Sequence, residues 1–194
     1  MSKVGKMKFA KKAAEKVIHS AVLKTNIPAG LANPSPPLGP QLGQRNINIA
    51  AFVKDFNEKT AHIKQGIPIP CRIKVNPDRS YELYMTKPPA VYYLKQAAGI
   101  QRGTMGGDEV VGKVTLKHLY EIALIKSEDE ALALMSLQQI TQMLTGIARS
   151  VGIEIVRDLD PVEYKKFLEE RKEIVKEQIA QLQAVREAKM LRTG

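Results

Sequence analysis

The side chains best suited to proton transfer, nucleophilic attack or metal binding are three histidines and one cysteine, and their spacing supports none of these. His19, His62 and His118 lie far apart, beside no nucleophile pattern. A lone titratable group carries no mechanism by itself. Cys71 falls in an alternating apolar stretch with no paired base, which reads as a core thiol. No cysteine–histidine spacing suits zinc, so no metal site is expected. Gly103-Thr104-Met105-Gly106-Gly107 has the glycine content of a phosphate cradle. It lacks the Gly-Lys-Ser/Thr ending, and no buried strand precedes it, so it reads as a mobile loop. No catalytic residue, no cofactor and no enzyme activity are expected.

Binding chemistry is better represented. Along residues 137–151, Leu137, Ile140, Leu144, Ala148 and Val151 share one helical face, and Gln138, Gln142, Thr145, Gly146, Arg149 and Ser150 share the other. A solvated face would explain the polar side. Gly146, however, costs roughly 1 kcal/mol of helix stability relative to alanine. A glycine there lets a nucleic-acid backbone come close, with Arg149 placed for a phosphate and Ser150 for a 2′-hydroxyl or phosphate. Residue physics leaves the two readings even. It does the same for residues 29–44, where four prolines and three glycines make either a surface turn or a preorganised docking face.

The charge favours an anionic partner, either nucleic acid or an acidic membrane surface: the 194 residues carry a net +10, with a pI near 9.6. Most of the excess sits in residues 1–26, where seven lysines face only Glu15. The body is nearly neutral, so RNA binding by it would have to rest on a few placed cations and close backbone approach. No stretch approaches the ~20 apolar residues of a membrane span, and no membrane insertion is expected. One cysteine suits a reducing compartment.

These residues need elements to hold them. Residues 1–16 read as a basic flexible tail whose targeting signal is weak, since it lacks arginine. Residues 17–86 form an α+β unit. It has a strand over Val17–Ile27, the proline loop with a short turn begun by Pro37, and a helix capped by Asn48. That helix buries Ile49, Phe52, Val53 and Phe56, and strands follow over Ile67–Val75 and Tyr81–Met85. Residues 87–90 are a proline linker. Residues 91–157 are a compact helical domain with helices over Val91–Ala98, from Thr115 (Leu116, Leu119, Tyr120 and Ala123 on one side), and from Ser136 in a capping box with Gln139, closed by a short extended end over Ile153–Val156. Residues 158–194 are a helical extension started by Asp160-Pro161. Its Leu168, Val175 and Leu182 recur every seven residues beside Ile179, a seam for docking on a partner. The fold class is thus α+β: a small antiparallel sheet with helices, a helical second domain, and a long final helix.

Seven stretches, in order, resemble the large-subunit ribosomal protein eleven family, the protein at the base of the factor-binding stalk. They are Ala32 to Gln44, Phe52 to Thr60, Gly66 to Pro70, Lys87 to Ala90, Lys95 to Ile100, Val111 to Thr115 and Gly146 to Ile153. The resemblance covers about residues 18–156. It implies a non-catalytic scaffold whose second domain grips the GTPase-associated region of large-subunit rRNA. The first domain, hinged at Lys87-Pro88-Pro89, faces stalk proteins and, transiently, elongation-factor GTPases. RNA contacts carry over to Lys87, Pro88, Pro89, Lys95, Gly99, Arg102, Lys113, Thr115, Lys117, Gly146, Arg149, Ser150 and Gly152. Pro36, Pro37, Gly39, Pro40, Gly43 and Gln44 carry over to the face turned to factors and to thiopeptide antibiotics. Ile147 stands where the family has threonine or serine, which puts one polar RNA contact in question. The basic head and the final helix resemble mitochondrial versions, with a bacterial or plastid source as the alternative. No obligate homo-oligomer is implied. An RNA-binding regulator acting off the ribosome is the competing reading.

Overall fold

The computed structural model describes residues 20–76, 78, 80–106 and 109–193. The basic tail, His19 and the expected strand start at Val17 lie outside them.

Alternation of apolar residues builds the first sheet. β1 (Val22–Pro28) pairs antiparallel with β2 (Pro68–Val75), which pairs antiparallel with β3 (Tyr81–Met85), in the order β1-β2-β3. Leu23 stands opposite Ile73, Thr25 opposite Cys71, and Ile27 opposite Ile69. All of these except Thr25 are buried on one face, as a period of two requires. Cys71 is a core thiol whose burial pushes its pKa up to about 12.

Two helices cover that face. α1 (Leu38–Gly43) follows Pro37, and α2 (Ile49–Lys59) starts where the Asn48 side chain accepts the Ala51 N–H at 3.2 Å. Phe52 and Phe56 of α2 are fully buried, and Tyr81 meets Phe52 edge-on with ring centroids 5.3 Å apart.

A second core runs from Leu94 to Ile153 and shares no residue with the first. It is built by α3 (Ala90–Ala97), α4 (Leu116–Ser127) and α5 (Leu137–Val151). Two expectations change here. The second unit is not wholly helical: β4 (Gly112–Thr115) and β5 (Ile153–Val156) form a parallel pair. Ile153–Val156 is extended as expected, whereas Gly112–Thr115, four residues long, is too short for a periodicity to show, and so the sequence pattern does not announce the pairing. The buried side of α4 is also rotated from the expected one. Leu119, Ile122, Ala123 and Lys126 are buried, while Leu116 and Tyr120 are 52% and 50% exposed. Ile122 joins the second core, and Lys126 is drawn in by the buried Asp129.

α6 (Pro161–Thr193) begins as expected, with Asp160 accepting the Val162 N–H at 2.9 Å. Part of the expected docking seam is used within the chain. Leu168 is half-buried against Gly99 and Val175 is half-buried, while Ile179 and Leu182 of the seam, 44% and 39% exposed, face outward with Ile174 and Val185. Among the described residues no helix is long and apolar enough to cross a membrane.

Candidate nucleic-acid interface

α5 is the wall on which the candidate site stands. Its start is fixed by a reciprocal cap: Gln139 N–H donates to Ser136 Oγ at 3.3 Å, and Ser136 N–H donates to Gln139 Oε1 at 3.0 Å. Ile140, Leu144, Ala148 and Val151 turn inward, so Gln142, Gly146, Arg149 and Ser150 are left exposed. A Cβ added to Gly146 would meet nothing within 4 Å. No packing among the described residues explains this glycine.

The end of α5 is different. Gly152 has φ +85°, and a Cβ there would come within 2.7 Å of the Glu109 carbonyl oxygen and 2.9 Å of Thr104 Cβ. Glycine is required there by the fold itself. It brings the loop after α3 against α5, where Thr104 N–H donates to Val151 O at 2.9 Å and Val111 N–H donates to Gly152 O at 2.7 Å.

Between loop, helix end and β5 lies an open cleft of about 630 Å³, whose lining includes Glu109, Gln142, Gly146, Arg149, Gly152 and Glu154. Glu154 is paired with Lys113 at 3.0 Å. Glu109 Oε1 accepts from Arg171 at 2.5 Å and from the Gln178 amide at 2.8 Å, and these bonds hold its carboxyl down at about 2. The chain just beyond the glycine loop is therefore held at Glu109.

The structure gathers Gly146, Arg149 and Gly152 around this one cleft. Ser150 lies on the exposed side of α5 with its hydroxyl proton given to Ile147 O, which leaves its lone pairs outward. The remaining nominated residues sit elsewhere. Gly99, at the end of α3, faces Leu168, and Arg102 bonds Gln178. Lys113 lies 5.8 Å from the Phe167 ring, so it too meets α6. Thr115 caps α4 in a reciprocal bond with His118, and Lys117 is exposed beside it. Lys95 is half-buried on α3. Lys87, Pro88 and Pro89 are fastened to α4: the Lys126 ammonium donates to the carbonyls of Lys87 and Pro88 at 3.4 and 3.3 Å.

The proline loop forms a second exposed face. Pro36, Pro37, Pro40, Gly43 and Gln44 are exposed, whereas Gly39 is buried. α2 holds the base of this loop: Thr60 Oγ1 accepts from Gly30 N–H and Asn57 Oδ1 from Ala32 N–H, each at 3.0 Å. The Pro36–Pro37 bond is cis.

Residue patterns gave no notice of Glu109, Arg171 or Gln178. A signal did exist, since Arg171 interrupts an apolar stripe of α6 between Leu168 and Val175, and a charge there calls for a buried partner.

Comparison with known proteins agrees with this arrangement. Residues 23–81 match the family described as ribosomal protein L11, N-terminal domain, and residues 86–155 match ribosomal protein L11, RNA binding domain. The chain is similar to the large ribosomal subunit protein uL11m of Drosophila melanogaster, with 62% identity and both chains covered in full. It is also similar to uL11m of Caenorhabditis elegans, with 53% identity and the same full coverage. Both relatives are mitochondrial large-subunit proteins. The protein uL11 of Roseobacter denitrificans is 46% identical over 143 residues, which span 73% of this chain and 99% of that one. These are structural ribosomal proteins, not enzymes. With both halves matched in order and the full length paralleled in two animal relatives, the chain belongs to the ribosomal protein L11 family of the large ribosomal subunit.

Proposed function

We propose that the chain works in the mitochondrial large ribosomal subunit, where its second half binds and stabilises the GTPase-associated region of the rRNA at the stalk base. Its proline face is turned to stalk proteins and translation-factor GTPases. The observation that carries this reading is Gly146. It is a helix-weakening residue in mid-helix with open space where its side chain would be. It stands next to the exposed Arg149 at a cleft in the part of the chain matched to an RNA-binding domain. A nucleic-acid backbone approaching the bare helix would use that space, and Arg149 would meet a phosphate there. The body is close to neutral, so recognition rests on the shape of folded RNA more than on counterion release.

Gly146→Leu tests it. The variant keeps its helical circular dichroism and loses binding to a transcript of the folded rRNA segment. Equal affinity of variant and parent overturns the placement. Co-sedimentation with large subunits through a high-salt gradient is expected of the parent, and release into the free fraction counts for a role off the ribosome.

A further inference from the structure

We propose that Arg171 and Gln178 of α6 are positioning residues of the RNA cleft, holding and neutralising Glu109 at its rim so that a polyanion can enter. The inference rests on the RNA-binding reading of that cleft and adds to it a part of the chain outside the matched RNA-binding domain, which ends at residue 155.

The cleft holds a contradiction that α6 resolves. Among the described residues, two that line it, Glu109 and Glu154, are acids, and Arg149 is the one cation. An unanswered carboxylate beside a phosphate repels it over about a Debye length, roughly 10 Å at 0.1 M salt. Both acids are answered by cations from outside the lining. Lys113 takes Glu154 at 3.0 Å, and Arg171 takes Glu109 at 2.5 Å. Arg149 is then left to set the sign of the site.

The Glu109 pair is built to persist. Arg171 is only 8% exposed, so solvent and salt screen the pair weakly. Gln178 bridges, giving its amide N–H to Glu109 Oε1 and accepting from Arg102 with its own oxygen. Thr104 adds a bond to the other carboxylate oxygen at 3.3 Å. The Glu109 carbonyl lies against Gly152 and so against the end of α5. Moving Glu109 would therefore move the cleft wall. An ordinary glutamate is ionised at neutral pH even without these bonds, so protonation does not remove the charge there and a cation must answer it.

Binding of the full-length chain to the folded rRNA transcript, at about 0.1 M salt, tests the idea. Arg171→Met is expected to bind about five- to ten-fold more weakly, the effect of one unanswered charge close to a phosphate path. Adding Glu109→Gln removes the charge that needed answering and returns affinity to within about two-fold of the parent. An arm that merely docks α6 would not be rescued in this way. Parental affinity in Arg171→Met overturns the proposal, and so does a loss that Glu109→Gln leaves in place. Thermal melts accompany each variant. If Arg171→Met melts below the assay temperature, Arg171→Gln replaces it and the same two outcomes decide. A parent chain with no preference for the folded transcript overturns the RNA-binding reading itself, which a weak Arg171 effect does not.

Discussion

At Gly39 an added Cβ would lie 1.9 Å from the carbonyl oxygen of Pro34, whereas at Gly146 it would meet nothing within 4 Å. The first glycine serves the fold, and the second meets no such demand from its neighbours. Gly39→Ala is therefore expected to cost about 3 kcal/mol or more, because backbone rather than a flexible side chain must move. Urea unfolding followed at the first half of the chain measures this. Pro36→Ser, on the exposed side of the same loop, should leave rRNA affinity unchanged and alter factor-dependent GTP turnover; lost RNA binding would show the two faces to be wrongly assigned. Residue physics left Gly146 and Arg149 even between a solvated face and an RNA contact; that they line one cleft is visible only in the fold. The part of Arg102 was not legible. A lone arginine in a loop reads as a phosphate contact, and only the fold turns it toward Gln178.

Helices with chemical punctuation were the easiest elements to read. Asn48, Ser136 with Gln139, and Asp160 with Pro161 each mark a start through a side-chain oxygen that satisfies a free N–H. The parallel β4–β5 pair escaped because its partners are about forty residues apart and each strand is a single short run. The docking of α6 escaped for a similar reason: Glu109 and Arg171 are 62 positions apart. Acid should expose that docking. The Glu109 carboxyl is lowered from 4.5 to about 2 by its bonds to Arg171 and Gln178. A depressed carboxyl adds stability that is complete above its unfolded pKa and is lost as the pH falls through the folded one. The first turns of α6 are thus expected to lose protection from hydrogen exchange between about pH 4.5 and 2, with Glu109→Gln abolishing that pH dependence. Unchanged protection across this range would count against the ion pair as the anchor.

On the scale of the whole chain, two separate cores were legible from the proline run between them, while the way that run is fastened was not. Lys126, Asp129 and the linker backbone form one buried knot. The Lys126 ammonium bonds Asp129 and two linker carbonyls, and the Lys87 N–H donates to Asp129 Oδ1 at 2.9 Å. Lys126→Met leaves a buried carboxylate without its cation and should cost the second half about 3 kcal/mol. The Lys87 amide should then exchange quickly, which hydrogen-exchange measurements can read directly. One residue earlier, Thr86 belongs to the other side, its N–H donating to Pro70 O at 3.1 Å. The family resemblance sets the hinge on Lys87-Pro88-Pro89, yet those residues are held fast. Neighbours along the chain are anchored to opposite bodies, so any swing of the first half against the second must turn on the φ and ψ of Thr86, a pivot one amino acid wide.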